Sequence, residues 1–115
     1  MKITVYHNPR CSKSRQTLAL IRERGHEPSV VEYLKTPPDP DLLQRITALL
    51  GIGAHDLIRT SETEYRELGL SPQTPETELI AAMVEHPRLI ERPIVTTDEA
   101  ARLGRPPEAV LEILP

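Results

Sequence analysis

The order of elements along the sequence predicts an α/β fold: a βαβ unit, a helical insertion at about 36–87, and a closing ββα segment, the strands forming a four-stranded mixed sheet. Three observations carry this expectation. A strand-like run at the start passes through a turn into a helix and on to a second strand, the short spacing of a parallel βαβ unit. The middle of the chain shows only helical spacing of its apolar residues. Near the end, two short β-prone runs flank Asp98-Glu99. With 115 residues the chain has the size of one compact domain, so residues 1–115 read as a single domain.

The first strand is expected over Ile3, Thr4, Val5 and Tyr6, ended by the turn-forming His7-Asn8-Pro9. From Ser12 to Arg24 good helix formers follow, with Leu18 and Ile21 on one face and Gly25 as a C-terminal stop. Val30, Val31, Tyr33 and Leu34 read as the second strand, closed by Thr36-Pro37-Pro38. Asp39 is placed as an N-cap with Pro40 at the first helical position, and Leu42, Leu43, Ile46, Leu49 and Leu50 keep one-face spacing until Gly51. Shorter helical pieces are expected over His55–Ile58, over Glu62–Leu68, and from Thr74-Pro75 to the His86-Pro87 stop. Pro93–Thr97 and Ala100–Leu103 should pair antiparallel, and Arg105-Pro106-Pro107 opens a last helix whose Val110, Leu111, Ile113 and Leu114 would cover the sheet.

Composition narrows the function classes. Hydrophobic residues make up 38% and charged residues 27%, as in an ordinary soluble protein, and with no Phe or Trp the core must be built from Leu, Ile and Val. A net charge of −3 lacks the basic excess of nucleic-acid binders, so no nucleic-acid partner is expected. The start MKITVY has no apolar signal core and no stretch reaches the length of a membrane span, which points to a cytoplasmic protein without a membrane partner. The single cysteine agrees, because a lone thiol suits a reducing compartment.

That cysteine, Cys11, falls between the end of a strand and the start of a helix, where unpaired N–H groups and the helix dipole favour negative charge. Arg10 and Lys13 flank it, so a lowered thiol pKa is expected in place of an inert core cysteine. The same geometry receives a phosphate-like oxyanion, with Ser12 and Ser14 adding hydroxyl donors. A thiolate beside an anion cradle suggests attack on a tetrahedral oxyanion, by phosphatase or by reductase chemistry. Position 14 is Ser, so no Cys-x-x-Cys pair exists and any second thiol must come from another molecule. His7 reads equally as a general base and as the polar residue that ends a strand. His26, His55 and His86 lack metal-ligand spacing, and neither a metal nor a bound cofactor is expected.

The run Tyr6-His7-Asn8-Pro9-Arg10-Cys11-Ser12-Lys13-Ser14-Arg15-Gln16-Thr17-Leu18 resembles the YHNPxCxxSRxTL start of glutaredoxin-dependent arsenate reductases, within the ArsC/Spx-like family. The resemblance continues through Glu32-Tyr33-Leu34, Leu57-Ile58-Arg59, Tyr65-Arg66-Glu67-Leu68-Gly69-Leu70, Arg92-Pro93-Ile94-Val95, Arg105-Pro106-Pro107-Glu108 and Val110-Leu111-Glu112-Ile113-Leu114, and is strongest to the short YfgD-like branch. It implies a thioredoxin-like fold with a helical insertion. It places the nucleophile on Cys11, the thiol-tuning roles on His7 and Ser14, the oxyanion-binding arginines on Arg59, Arg92 and Arg105, and a cis-proline on Pro93. Arginine suits that role chemically, since its planar fork holds two oxyanion oxygens. Two departures stand out: the chain ends at Pro115 where longer members continue, and Gly104 replaces a cysteine that some members carry. Neither removes a named position.

The resemblance therefore implies reduction of arsenate or a similar oxyanion to arsenite by the Cys11 thiolate, with glutathione as co-substrate and glutaredoxin as the protein partner. Two rivals share the pattern. One is a monothiol glutathione-linked oxidoreductase without arsenate activity, against which the arginines argue. The other is an Spx-like RNA polymerase-binding regulator, for which Ser14 excludes an internal disulfide switch but not polymerase binding.

Overall fold

The structure, a computed structural model, describes residues 2–115. The chain divides into two compact units, one comprising the residues up to Thr36 together with Arg92–Pro115, the other Pro37–Glu91.

In the first unit, β1 (Thr4–His7) leads through a loop into α1 (Ser12–Glu23) and on to β2 (Ser29–Glu32), which lies parallel to β1. After the second unit the chain returns as β3 (Ile94–Thr96), antiparallel to β1, and β4 (Ala101–Leu103), antiparallel to β3. The four-stranded mixed sheet has the order β2-β1-β3-β4. Alternation along β1 sends Val5 to one face, where it joins Ile3, Ile21 of α1, Val95 of β3 and Val110 in one buried cluster. Leu18, Ile113 and Leu114 close that cluster from outside.

The first unit differs from the sequence expectation at several points. His7 belongs to the end of β1 and is 8% exposed, instead of opening the turn. β2 stops at Glu32, short of the expected Tyr33 and Leu34, because β1, its partner in the sheet, ends there: the last register pair is His7 with Glu32. The chain then turns, with the N–H groups of Lys35 and Thr36 both donating to the Glu32 carbonyl and Tyr33 buried. The last helix, Pro107–Ile113, is 3-10 in type, not α. It opens on Pro106 and Pro107, which supply no N–H, and its first bond runs from Ala109 N to the Pro106 carbonyl, three residues back.

In the second unit, α2 (Pro40–Leu50) starts as its cap chemistry dictates: the Asp39 carboxylate accepts from Leu42 N at 2.8 Å and Pro40 occupies the first turn. It ends at Gly51, whose φ of 71° is the left-handed conformation glycine adopts without strain. The expected piece near His55 is a 3-10 turn, Ala54–Leu57, with Ala54 N held by the Glu76 carboxylate at 2.7 Å. α3 (Thr63–Glu67) is shorter than expected, and α4 (Glu76–Glu85) stops at His86, followed by a 3-10 turn over Pro87–Leu89. Leu43, Ile46, Leu57, Leu79, Met83, Leu89 and Ile90 are almost fully buried and form an all-aliphatic interior. No helix among the described residues is long and apolar enough to cross a membrane.

Candidate active site

The loop between β1 and α1 is tied down by its own residues. Asn8 accepts from Cys11 N through its carbonyl at 3.0 Å and from Arg10 N through its side chain at 3.0 Å. Asn8 N donates to Ser14 Oγ at 3.3 Å, and Arg15 Nη1 donates to the Pro9 carbonyl at 2.8 Å. Such bonds explain the residue types: an Asx side chain closes the turn, a proline limits it, and α1 reaches back to hold both.

Cys11 is the N-cap of α1, with an extended backbone and no side-chain cap bond, and no acidic residue stands in the first turn. Its carbonyl accepts from Arg15 N at 3.1 Å, which starts the helix. Burial, at 9% exposure, pushes the thiol pKa up. That effect is outweighed by the backbone N–H groups of Ser14 and Lys13, the charge of Arg92 and the Ser14 hydroxyl, which together hold the pKa below the ordinary value. The ionised sulfur is the species that the orphan N–H groups of the first turn stabilise.

Arg92 stands just before β3, across a cis bond to Pro93, and Arg105 just after β4, across a cis bond to Pro106. Arg105 Nη1 donates to the Arg92 carbonyl at 3.2 Å, so two arginines distant in sequence meet on one side of the first unit. The β3–β4 pairing that aligns them continues into a bond from Gly104 N to the Pro93 carbonyl at 2.9 Å. Gly104 is there because nothing larger fits: a Cβ would overlap Thr17 Oγ1 of α1 and lie 2.7 Å from Pro93 Cγ.

The first unit thus sets Ser14 and the charge of Arg92 by Cys11 and ties Arg105 to the Arg92 carbonyl. His7 lines a cleft with the loop residues Asn8, Pro9 and Arg10 and a second one on α1. It faces Arg15, Leu18, Ala19, Arg22 and Glu23 across a cleft of about 560 Å³. Burial lowers its pKa, Glu32 raises it, and Arg22 and Arg15 lower it, leaving it below the ordinary value and favouring the neutral ring. Arg59 belongs to the second unit, where its Nη1 lies 2.7 Å from Glu62 Oε1. His55 Nε2 hydrogen-bonds Tyr65 Oη at 2.8 Å, which accounts for one of the remaining histidines. Among the described residues no group of three or more His, Cys, Asp or Glu side chains could hold a metal ion.

Sequence reasoning missed three participants. The cation of Lys13 drew attention, whereas it is the backbone N–H of that residue that acts on the sulfur. The contact of Thr17 with Gly104 had no signal beyond a glycine at a strand end. Glu62 read only as the first residue of a helical piece over Glu62–Leu68.

The sequence profile of the ArsC family matches residues 6–113. The chain is 51% identical to the uncharacterized protein YfgD of Escherichia coli K12 over 98% of this chain and 97% of that one. It is 50% identical to an arsenate reductase of Rhizobium meliloti strain 1021, covering 100% of this chain and 83% of the relative. A solved arsenate reductase from Vibrio cholerae has the same fold, with a TM-score of 0.95 at 50% identity over 99% of this chain and 98% of that one. A mixed sheet with this order, a helix-capping cysteine after β1 and a cis-proline before β3 form the thioredoxin-like arrangement, and with these full-length likenesses they establish that the chain belongs to the ArsC family.

Proposed function

We propose that this protein is a glutathione- and glutaredoxin-dependent arsenate reductase whose nucleophile is Cys11. The observation that carries the reading is the thiol held below its ordinary pKa at the start of α1 beside Arg92, in a chain half identical to arsenate reductases over its whole length. Arg92 and Arg105 offer guanidinium donors to the oxyanion, and the motif Leu57-Ile58-Arg59 assigns Arg59 to the same anion. Ser14 steadies the thiolate, and the motif gives the thiol-tuning role to His7, at the end of the strand that leads into the Cys11 loop. In this reading the two compact units work as one thioredoxin-like domain with a helical insertion, in a reducing cytoplasm.

The chemistry balances as follows. The Cys11 thiolate attacks arsenic and displaces one oxygen, which leaves as water after protonation. The donors of Arg92 and Arg105 offset the charge on the remaining oxygens as the sulfur–arsenic bond forms. A glutathione thiolate then attacks the Cys11 sulfur; the sulfur–arsenic bond breaks with its electron pair going to arsenic, which departs as arsenite. Glutaredoxin reduces the Cys11–glutathione disulfide and returns the thiolate.

Arsenate-dependent NADPH oxidation, coupled through glutathione reductase and glutaredoxin, tests this. Turnover is expected with the native chain, to stop when glutaredoxin is omitted, and to vanish with Cys11→Ser. A native chain with no arsenate-dependent oxidation overturns the proposal.

A further inference from the structure

The second unit holds Arg59 in a charge arrangement whose other members, Glu62, Arg88 and Glu64, have no part in the reaction steps above. Arg59 Nη1 and Glu62 Oε1 are 2.7 Å apart, on side chains only 23% and 15% exposed. The other oxygen of Glu62 lies 3.7 Å from Arg88 Nη2, and Arg88 Nη1 is 4.0 Å from Glu64 Oε2. The main chain imposes this meeting. Arg59 N donates to the Leu89 carbonyl at 2.7 Å, Glu91 N to the Leu57 carbonyl at 2.8 Å, and Ile58 bridges Ile90, so the segments carrying Arg59 and Arg88 are laced side by side. Glu62 N bonds back to the Arg59 carbonyl at 3.2 Å, placing the carboxylate between the two arginines. Although Glu62 precedes α3, its side chain makes no cap bond there, so the contacts of its carboxylate are with guanidinium groups.

The geometry points to Glu62 as a positioning residue for Arg59, fixing its guanidinium for oxyanion binding while Arg88 braces the carboxylate from the other side. This rests on the reading that Arg59 binds the oxyanion. A guanidinium has five N–H donors in a rigid fork, and Glu62 engages it at Nη1, leaving the edge formed by Nε and Nη2 for a bidentate ligand. A free arginine loses much rotamer freedom when it binds; one already held loses little, which tightens binding. The carboxylate also repels an anion, yet an oxyanion on the Nε–Nη2 edge sits nearer the guanidinium than the carboxylate, and Arg88 offsets the Glu62 charge. Attraction therefore prevails. Because Glu62 acts through Arg59, its influence falls on oxyanion binding and not on the chemical step.

Steady-state arsenate reduction by the full chain tests this, comparing Glu62→Ala, Glu62→Gln, Arg59→Ala and the double variant Glu62→Ala/Arg59→Ala. The KM for arsenate should rise about tenfold in Glu62→Ala and less in Glu62→Gln, which keeps an acceptor oxygen, with kcat within about twofold of the native chain. Adding Glu62→Ala to Arg59→Ala should raise KM no further. The inference is overturned if both Glu62 variants leave or lower KM, if Glu62→Ala acts equally with and without Arg59, or if kcat and thermal stability fall with KM unchanged. An unchanged KM in Arg59→Ala instead overturns the placing of Arg59 at the oxyanion, whatever Glu62 does.

Discussion

Two arginines of this chain are held in opposite ways. In the first unit, Arg105 donates to a backbone carbonyl, that of Arg92, at 3.2 Å. In the second, Arg59 is held by a carboxylate at 2.7 Å. A carbonyl fixes a guanidinium without cancelling its charge, whereas a carboxylate fixes it and neutralises it at short range. The difference shows how the first unit keeps positive charge next to a thiol: no acid stands in the first turn of α1, and the arginine whose charge reaches the sulfur is Arg92. The second unit gains order from an ion-pair cluster.

The contrast is broken most severely at Arg92. Arg92→Ala removes the side-chain charge among the groups that stabilise the Cys11 thiolate. The pH midpoint of Cys11 alkylation should move up, and kcat/KM for arsenate should fall about a hundredfold, in the range seen when one anion-stabilising donor is lost. Glu62→Ala should leave that alkylation midpoint where it is, since Glu62 is not among the groups that set it.

Next in size is a packing effect. Gly104→Ala forces a Cβ against Thr17 Oγ1 and Pro93 Cγ, and the overpacking should cost about 1–3 kcal/mol. Thermal or urea unfolding measures it. A neutral result would mean that α1 and the Pro93 strand yield easily, and the arginine placement of the first unit would then not depend on their close approach.

The smallest expected effect is the pH response of His7. Its pKa in the folded protein is lowered, chiefly by burial, so the unfolded chain binds the proton more readily. Stability should therefore fall as pH drops below the ordinary histidine value of about 6.5 and level off once the folded-state pKa is passed. His7→Gln should flatten that part of a plot of thermal midpoint against pH. It should also move the Cys11 alkylation midpoint less than Arg92→Ala does, because the charged groups that His7 faces are Glu32, Arg22 and Arg15.

Elements governed by local chemistry were legible before any coordinates. The Asp39 cap, Pro40 in the first turn of α2 and the left-handed Gly51 follow from residues that touch one another along the chain. The start of α1 after the loop was equally plain, because Asn8, Pro9 and the helix formers after Cys11 act over a few residues, whereas His7 proved to end β1 and not to open the turn. The end of β2 was not legible: Tyr33 and Leu34 are good strand residues, yet the register with β1 ends at the pair His7 and Glu32 and the chain turns there. The helix type of Pro107–Ile113 was misjudged for a related reason, since apolar spacing over seven residues fits a 3-10 and an α turn alike.

The candidate site divides in the same way. Sequence by itself determined that one thiol would stand at a helix start with N–H groups aimed at it, because strand, turn and helix are consecutive. Only the tertiary structure decided which distant groups join it, tying Arg105 to Arg92 and turning His7 onto α1. It alone set Glu62 between Arg59 and Arg88. The physical reason is range: caps and turns are settled by neighbours in the chain, while the field around a sulfur or a guanidinium is a sum over whatever the fold brings within a few ångströms.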